Sequence, residues 1–216
     1  LLVYDMDSFI LKKESPLAPK GRGSALVAFD NRSKTISTGR EEDNLWIFDM
    51  DTLILKTALK IGRGDESLFF SDALNSYVIT YFDLTRRMRF ISPDGKNIRE
   101  IPAPLHQGNA VISEKNKELY LAVPLAGKIF TYDMHTLKLK RKIPTVFGVR
   151  NIAYDNVNNI IVASSVWTGS IDVIDLNTLS HAPKFIGYYL RQIRLDPEHR
   201  RAFISSQVGG VYELTY

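Results

Sequence analysis

Residues 149–178 read VRNIAYDNVNNIIVASSVWTGSIDVIDLNT and contain the pattern that indicates the fold. An apolar segment ending in an acid (residues 152–155, IAYD) is followed by a polar turn and a second apolar segment (residues 160–163, IIVA). A third segment (residues 173–175, VID) closes on Asp175, with Thr178 three positions later. Short apolar runs separated by Asn-rich and Asp-rich turns predict consecutive β-strands joined by tight turns.

Both parts of this pattern recur along the chain at a nearly constant spacing. The acid that ends the first segment recurs as Asp30, Asp72, Glu114, Asp155 and Asp196. The acid that ends the third segment recurs in phase, as Asp5, Asp49, Asp133 and Asp175, with a degenerate copy around Asp94. Each period holds four short strands and no stretch with helical periodicity, which is typical of one blade of a β-propeller.

The predicted fold is therefore all-β, a β-propeller of about five four-stranded blades of about 42 residues each. We expect a partial blade at 1–18, repeats at about 19–60, 61–103, 104–145 and 146–186, and a partial blade at 187–216. A further copy of the third-strand pattern begins at residues 211–213 (VYE), so the chain has six third strands but only five second strands. Either the terminal strands overlap in a five-bladed closure, or the chain is an incomplete arc of a ring of roughly six to eight blades. We favour the arc.

Composition narrows the classes of partner. The 28 Lys and Arg against 24 Asp and Glu give a net charge of +4, and the densest basic run, residues 137–142 (LKLKRK), alternates with leucines. That alternation favours an exposed edge strand over a nucleic-acid site, so we predict no nucleic-acid partner. The chain has no cysteine, which excludes disulfides and thiol catalysis. No apolar run approaches the roughly 18 residues of a membrane span, so no membrane insertion is predicted.

The repeat resembles the YVTN/NHL-type propeller family, which includes lactonase-like propellers. The resemblance rests on residues 190–197 (LRQIRLDP), 201–206 (RAFISS) and 169–178 (GSIDVIDLNT) and extends over essentially the whole chain. It implies a propeller fold and favours a periplasmic or extracellular location. Proteins of this kind include lactone-hydrolysing enzymes, surface-layer and periplasmic binding proteins, and haem- or quinone-dependent dehydrogenases, and the fold does not choose among them.

Candidate site residues follow from the topology. In a propeller, the first strand of each blade lines the central channel, and the loops entering it meet the loops between strands 2 and 3 at the channel mouth, where pockets collect. Arg150 and Arg191 occupy the same position in adjacent repeats, and two guanidiniums there could bind a carboxylate or phosphate bidentately. The alternative to a ligand site is a solvated rim whose charged side chains form ion pairs with one another. The predicted ligand-binding residues are Arg22, Asp65, His106, Asn109, Arg150, Trp167 and Arg191.

The chain carries no Gly-x-Ser-x-Gly, phosphate-loop or His-Glu-x-x-His motif. We therefore predict a non-enzymatic propeller that presents a binding face to a small anionic ligand or a protein partner, with no cofactor and no metal. Two alternatives stay open. One is a metal-dependent, lactonase-like hydrolase with Asp65, Glu66 and His106 near the metal, and the other is a fragment of a cofactor-dependent dehydrogenase.

Overall fold

A computed structural model describes residues 2–14, 26–39, 44–62 and 65–216. In these residues the chain forms 21 β-strands and one 3₁₀ turn, Pro124–Ala126. The first sheet consists of β1 (Leu2–Tyr4) and β2 (Leu11–Glu14). The second consists of β3 (Leu26–Asp30), β4 (Thr35–Gly39), β5 (Asn44–Asp49) and β6 (Leu55–Lys60). The third consists of β7 (Asp65–Ser71), β8 (Ser76–Tyr81), β9 (Arg87–Ile91) and β10 (Ile98–Pro102). The fourth consists of β11 (Ala110–Ser113), β12 (Glu118–Val123), β13 (Lys128–Asp133) and β14 (Leu139–Pro144). The fifth consists of β15 (Val149–Asp155), β16 (Ile160–Ser165), β17 (Ser170–Asp175) and β18 (His181–Phe185). The sixth consists of β19 (Leu190–Asp196), β20 (Arg201–Ser206) and β21 (Gly210–Thr215).

Each sheet is a series of consecutive strands, each hydrogen-bonded to the next in the sequence. The pairing is antiparallel, for example Ile152 opposite Ala163 and Val162 opposite Val173. Four sheets have four strands, the first has two and the last has three. This architecture confirms the predicted fold class, an all-β, incomplete β-propeller.

The aspartates of the repeat pattern shape the turns. The Oδ1 atom of Asp133 accepts hydrogen bonds from the backbone N–H groups of His135 and Thr136 at 3.1 and 2.8 Å, and from the Thr136 hydroxyl at 3.0 Å. Asp49 accepts the same three bonds from Asp51 and Thr52. An aspartate that satisfies the N–H groups of the next residues stabilises a tight turn, which explains why this residue recurs at each strand end.

The chain divides into two compact units. The first comprises Leu1–Ile79 with Met88–Ile101, and the second comprises Thr80–Arg87 with Pro102–Tyr216. In the first unit, β5 buries Leu45, Ile47 and Phe48. The hydroxyls of Thr35 and Tyr77 lie 2.6 Å apart and join two neighbouring sheets of that unit.

In the second unit, neighbouring sheets share hydrophobic cores. Tyr120 and Ile129 of one sheet pack with Ile152 and Ile161 of the next. A second core joins the sheet of β15–β18 to that of β19–β21, with Val162, Ile171, Leu190, Ala202 and Ile204 among its members. Because one blade cannot bury both of its faces alone, this stacking holds the sheets together. The described part of the chain contains no helix with the length and hydrophobicity of a membrane span.

Candidate binding face at the channel mouth

The loops at one edge of the second unit form a continuous surface, which we call the mouth face. It consists of residues 82–87, 103–109, 124–128, 145–150, 166–170, 186–191 and 207–210. Backbone hydrogen bonds tie these loops together, from Thr145 to Gly127 at 3.0 Å, from Ile186 to Gly169 at 3.0 Å and from Gln207 to Tyr189 at 3.2 Å. The mouth face is therefore built on rigid strand ends, where binding residues are commonly found.

An exposed apolar side chain occupies the tip of each turn between strands 2 and 3 on this face. The exposed fractions are 75% for Leu84, 52% for Leu125, 45% for Trp167 and 69% for Val208. Each of these four positions follows the previous one by a single period of the repeat. We call them the tip residues. Single exposed apolar residues are ordinary on a protein surface, so what distinguishes this face is their recurrence at one position in four successive turns.

A serine at the end of β16 supports the Trp167 turn. The Ser165 hydroxyl donates to the Phe147 carbonyl at 2.7 Å and accepts from the N–H groups of Trp167 and Thr168 at 3.2 and 3.0 Å. The rings of Phe147 and Trp167 lie 5.4 Å apart, centroid to centroid. Phe147 is itself exposed, so the two rings form one aromatic pair on the surface.

Gly148 leaves room for that pair. Its φ is +77°, and a Cβ at this position would lie 2.8 Å from Ser165 Oγ and 2.9 Å from Trp167 Cε3. Real Cβ contacts are not this short. Glycine here allows both the left-handed backbone and the close approach of the indole.

The next sheet repeats the serine support. The Ser206 hydroxyl donates to the Tyr188 carbonyl at 2.8 Å and accepts from the N–H groups of Val208 and Gly209 at 3.1 and 3.0 Å. Tyr188 stands one repeat after Phe147, and Val208 stands one repeat after Trp167. The mouth face thus presents the same pair of positions twice, once with Phe and Trp and once with Tyr and Val.

The structure brings His106 and Arg150 together through Phe82. The imidazole of His106 packs edge-on against the Phe82 ring, with centroids 5.4 Å apart. The Arg150 Cζ atom lies 4.2 Å from the Phe82 centroid, a cation–π distance. The buried Gln107 amide supports these loops by donating to the Thr85, Arg87 and Pro104 carbonyls at 3.0–3.1 Å.

The other two predicted polar residues have contacts of their own. The Asn109 side chain accepts from the Ile152 N–H at 2.6 Å and donates to the Ile152 carbonyl at 2.9 Å, which joins β15 to the loop that enters β11. Arg191 Nη2 donates to Gln207 Oε1 at 2.8 Å. Joint binding of one anion by Arg150 and Arg191 stays a prediction.

Two predicted ligand-binding residues, Arg22 and Asp65, remain. Arg22 lies outside the described residues, and Asp65 is in β7 of the first unit, with its side chain outside the described part. Glu66 is also in β7, whereas His106 belongs to the second unit. Among the described residues, no group of three or more His, Asp or Glu side chains lies close enough to hold a metal ion.

Sequence reasoning missed Phe82 and Phe147. A signal for Phe147 was present, because it aligns with Tyr188 in the repeat. Phe82 immediately follows β8 and could have been found as the aromatic entering a predicted mouth loop.

A shallow cavity of about 270 Å³ lies along the inner strands of the second unit. Its lining comes from β15, β19 and residues 109 and 111 at β11, and includes Asn109, Tyr154 and Arg194. Of the predicted site residues, only Asn109 is in this lining. The aromatic pair and the tip residues lie outside the lining of this cavity.

Below the mouth face, Asp172 of β17 is fully buried. The Thr145 hydroxyl donates to its Oδ2 at 2.9 Å, and His181 Nδ1 lies 3.4 Å from the same oxygen. Burial raises the pKa of Asp172, and the contacts with Thr145 and His181 offset only part of this effect. This carboxyl group anchors the start of the loop that carries Phe147.

The turns at the other edge of the second unit form what we call the opposite face, residues 114–117, 133–138, 155–159, 175–180 and 196–200. Its four aspartates, Asp133, Asp155, Asp175 and Asp196, accept hydrogen bonds from backbone N–H groups of their own turns. Hydrogen bonds from Thr136 lower the pKa of Asp133, and the contact with His199 does the same for the pKa of Asp196. Burial disfavours ionised Asp155, but hydrogen bonds from Asn158 and Tyr216 outweigh burial and lower its pKa.

No protein-family model and no curated protein sequence matches the chain. Solved structures with a similar fold include a hydrazine synthase and a β-propeller domain. Hydrazine synthase from Kuenenia stuttgartiensis aligns with a TM-score of 0.74 and 15% identity, over 89% of this chain and 58% of that one. The β-propeller domain of Cps50 (Swd1) from Myceliophteria thermophila aligns with a TM-score of 0.73 and 16% identity, over 93% of this chain and 67% of that domain. The chain thus spans 58% of the first and 67% of the second. At this level of identity the likeness shows the fold alone, and that fold is a β-propeller.

Proposed function

We propose that this chain is a non-enzymatic propeller that binds a protein partner through the mouth face of its second unit. The observation that carries the proposal is the set of four exposed tip residues, Leu84, Leu125, Trp167 and Val208, repeated at the period of the fold. Single exposed apolar side chains are ordinary, but a group of them on one face is typical of an interaction site, and aromatic residues are enriched among the residues that contribute most to binding.

The breadth of the surface favours a protein over a small ligand. The tip residues sit on four successive turns, and Phe147 and Tyr188 add exposed rings on the loops between sheets. A small molecule is normally enclosed by a pocket, whereas these side chains project from separate loops. A partner that spans several turns can contact all of them at once.

We further propose that the repeat is of the YVTN/NHL type. Residues 190–197 and 201–206, which support this assignment, form β19 and β20 with their connecting turn.

Selection of displayed random peptides on the immobilised chain tests the binding proposal. We expect selected peptides to bind at least about tenfold more weakly to a Phe147→Ala, Trp167→Ala double variant, a difference of about 1.4 kcal/mol. The matched control is Val157→Ser, because Val157 is an exposed apolar residue on the opposite face. The proposal fails if no peptide is selected, or if the selected peptides bind the double variant as tightly as the unchanged chain.

A further inference from the structure

The mouth face has a net positive charge. It holds five cationic side chains and one carboxylate, Asp83, for a net charge of +4; the cations are Arg86, Arg87, Lys128, Arg150 and Arg191. The carboxylate of Asp83 accepts the Thr85 N–H at 2.6 Å and so is engaged within its own turn. The opposite face holds four cations and six carboxylates, for a net charge of −2. The two faces of the second unit therefore differ in the sign of their charge.

The cations are interleaved with the exposed apolar side chains. A cation stands three residues after an exposed apolar residue in four mouth loops, as Leu84 and Arg87, Leu125 and Lys128, Phe147 and Arg150, and Tyr188 and Arg191. Each of these cations begins or immediately follows the start of a strand, which fixes its backbone. Four of the seven segments of the mouth face thus pair an exposed apolar residue with a cation.

This alternation fits a polypeptide better than a nucleic acid. Proteins that bind single-stranded nucleic acid stack bases on aromatic rings. The mouth face does carry exposed rings, at Phe147, Trp167 and Tyr188, but they are confined to the loops of the last two sheets. The other three tip residues, Leu84, Leu125 and Val208, are aliphatic, so a strand of bases could not stack along the whole face. Aliphatic tips gain free energy by burying apolar side chains of a partner, and the intervening cations attract carboxylates.

We infer that the partner of the mouth face presents a polypeptide segment in which acidic and large apolar side chains are mixed. This inference rests on the proposed function. The apolar side chains of the segment pack against the tip residues and the Phe147–Trp167 pair. Its carboxylates lie near Arg86, Lys128 and the cations that follow Phe147 and Tyr188. Opposite charge also raises the association rate, and that part of the effect declines with added salt.

Fluorescence polarisation with labelled synthetic probes tests the inference. Three peptides of equal length are compared: one mixes Glu and Asp with Leu and Phe, one replaces the acids with Lys and Arg, and one replaces the apolar residues with Gly and Ser. A single-stranded oligothymidylate of matched charge is the fourth probe. We expect the acidic, apolar peptide to bind the chain at least about tenfold more tightly than each of the other three.

Charge reversal gives the matched pair of variants. Arg86→Glu combined with Lys128→Glu should weaken binding of the acidic, apolar peptide by about tenfold or more, whereas Lys115→Glu combined with Lys138→Glu on the opposite face, which changes the net charge by the same amount, should not. Equal or tighter binding of the basic peptide overturns the inference, and tighter binding of the oligonucleotide assigns the surface to nucleic acid. If displayed peptides depend on Trp167 but are neutral or basic, the inference fails and the proposed function stands. If no peptide depends on Trp167, the proposed function itself fails.

Discussion

The mouth face and the opposite face of the second unit are built from the same strands, yet their side chains have different roles. On the opposite face, carboxylates such as Asp133 and Asp155 point back into their own turns and bind backbone N–H groups. On the mouth face, the hydroxyls of Ser165 and Ser206 have that role in two of the turns, and the residues at the turn tips are large, apolar and exposed. A repeat can therefore keep one edge for stability and leave the other edge available for recognition.

The largest expected effect is on the opposite face. Asp155 is buried, and its two oxygens accept bonds from the Val157 and Asn158 N–H groups, the Asn158 amide and the Tyr216 hydroxyl. Asp155→Ala should lower the free energy of unfolding by about 2–4 kcal/mol, because several donors lose a charged acceptor. Urea denaturation measures the loss, and Asp155→Asn should lose less. A loss in the alanine variant below about 0.5 kcal/mol, the usual range for surface positions, would contradict the structural role.

The next effect compares two glycines with nearly the same backbone. Gly148 and Gly210 have φ of +77° and +79°, but a Cβ at Gly148 meets Ser165 and Trp167, whereas at Gly210 nothing lies within 4 Å. Both alanine variants carry the left-handed cost of about 1–2 kcal/mol. Gly148→Ala should lose about 1–3 kcal/mol more, because it also crowds the aromatic pair. Equal losses in thermal unfolding would show that the indole does not depend on Gly148.

A smaller loss of stability is expected when the exposed aromatic pair of the mouth face is replaced. Trp167→Ala and Phe147→Ala should each lower the free energy of unfolding by less than about 1.5 kcal/mol, since the rings are exposed and contribute mainly their mutual contact. Val157→Ser provides the comparison on the opposite face. If either aromatic variant loses as much stability as Asp155→Ala, these rings belong to the fold and the contrast between the two faces disappears.

The smallest effect is a dependence on pH. Because the pKa of Asp133 is below its ordinary value of 3.8 in the folded chain, its contribution is present above that value and is lost as the pH falls through the folded pKa. Asp133→Asn keeps the turn acceptor and removes the charge. We expect its stability to fall below that of the unchanged chain at neutral pH and to converge with it in strong acid. A difference that grows on acidification would reverse the sign of this linkage.

The sequence was sufficient for the fold because its determinants are local and repeated. The turn aspartates act on residues two and three positions away, so a period in the sequence translates directly into a period in structure. Trp167 was found because its loop could be located between two such strands.

The partners of the predicted polar residues could not be found in the same way. Asn109 bonds to Ile152, 43 positions away in the next sheet, and Arg150 packs on Phe82 from another repeat. The side-chain direction of a mouth residue depends on how neighbouring sheets stack, and the repeat pattern does not encode that. The repeat pattern located the loops of Arg150, Trp167 and Arg191, but not the contacts that their side chains make.

The serine supports at Ser165 and Ser206 have a consequence for how such a surface can evolve or be redesigned. Every hydrogen bond that these hydroxyls make within the turn goes to a backbone atom, so none depends on the identity of the tip side chain. Trp167 and Val208 already show two very different occupants on the same support. The two turns that Ser165 and Ser206 support can therefore accept different tip residues. A library that varies Phe147, Trp167, Tyr188 and Val208 would alter recognition while the framework of these two turns stays constant.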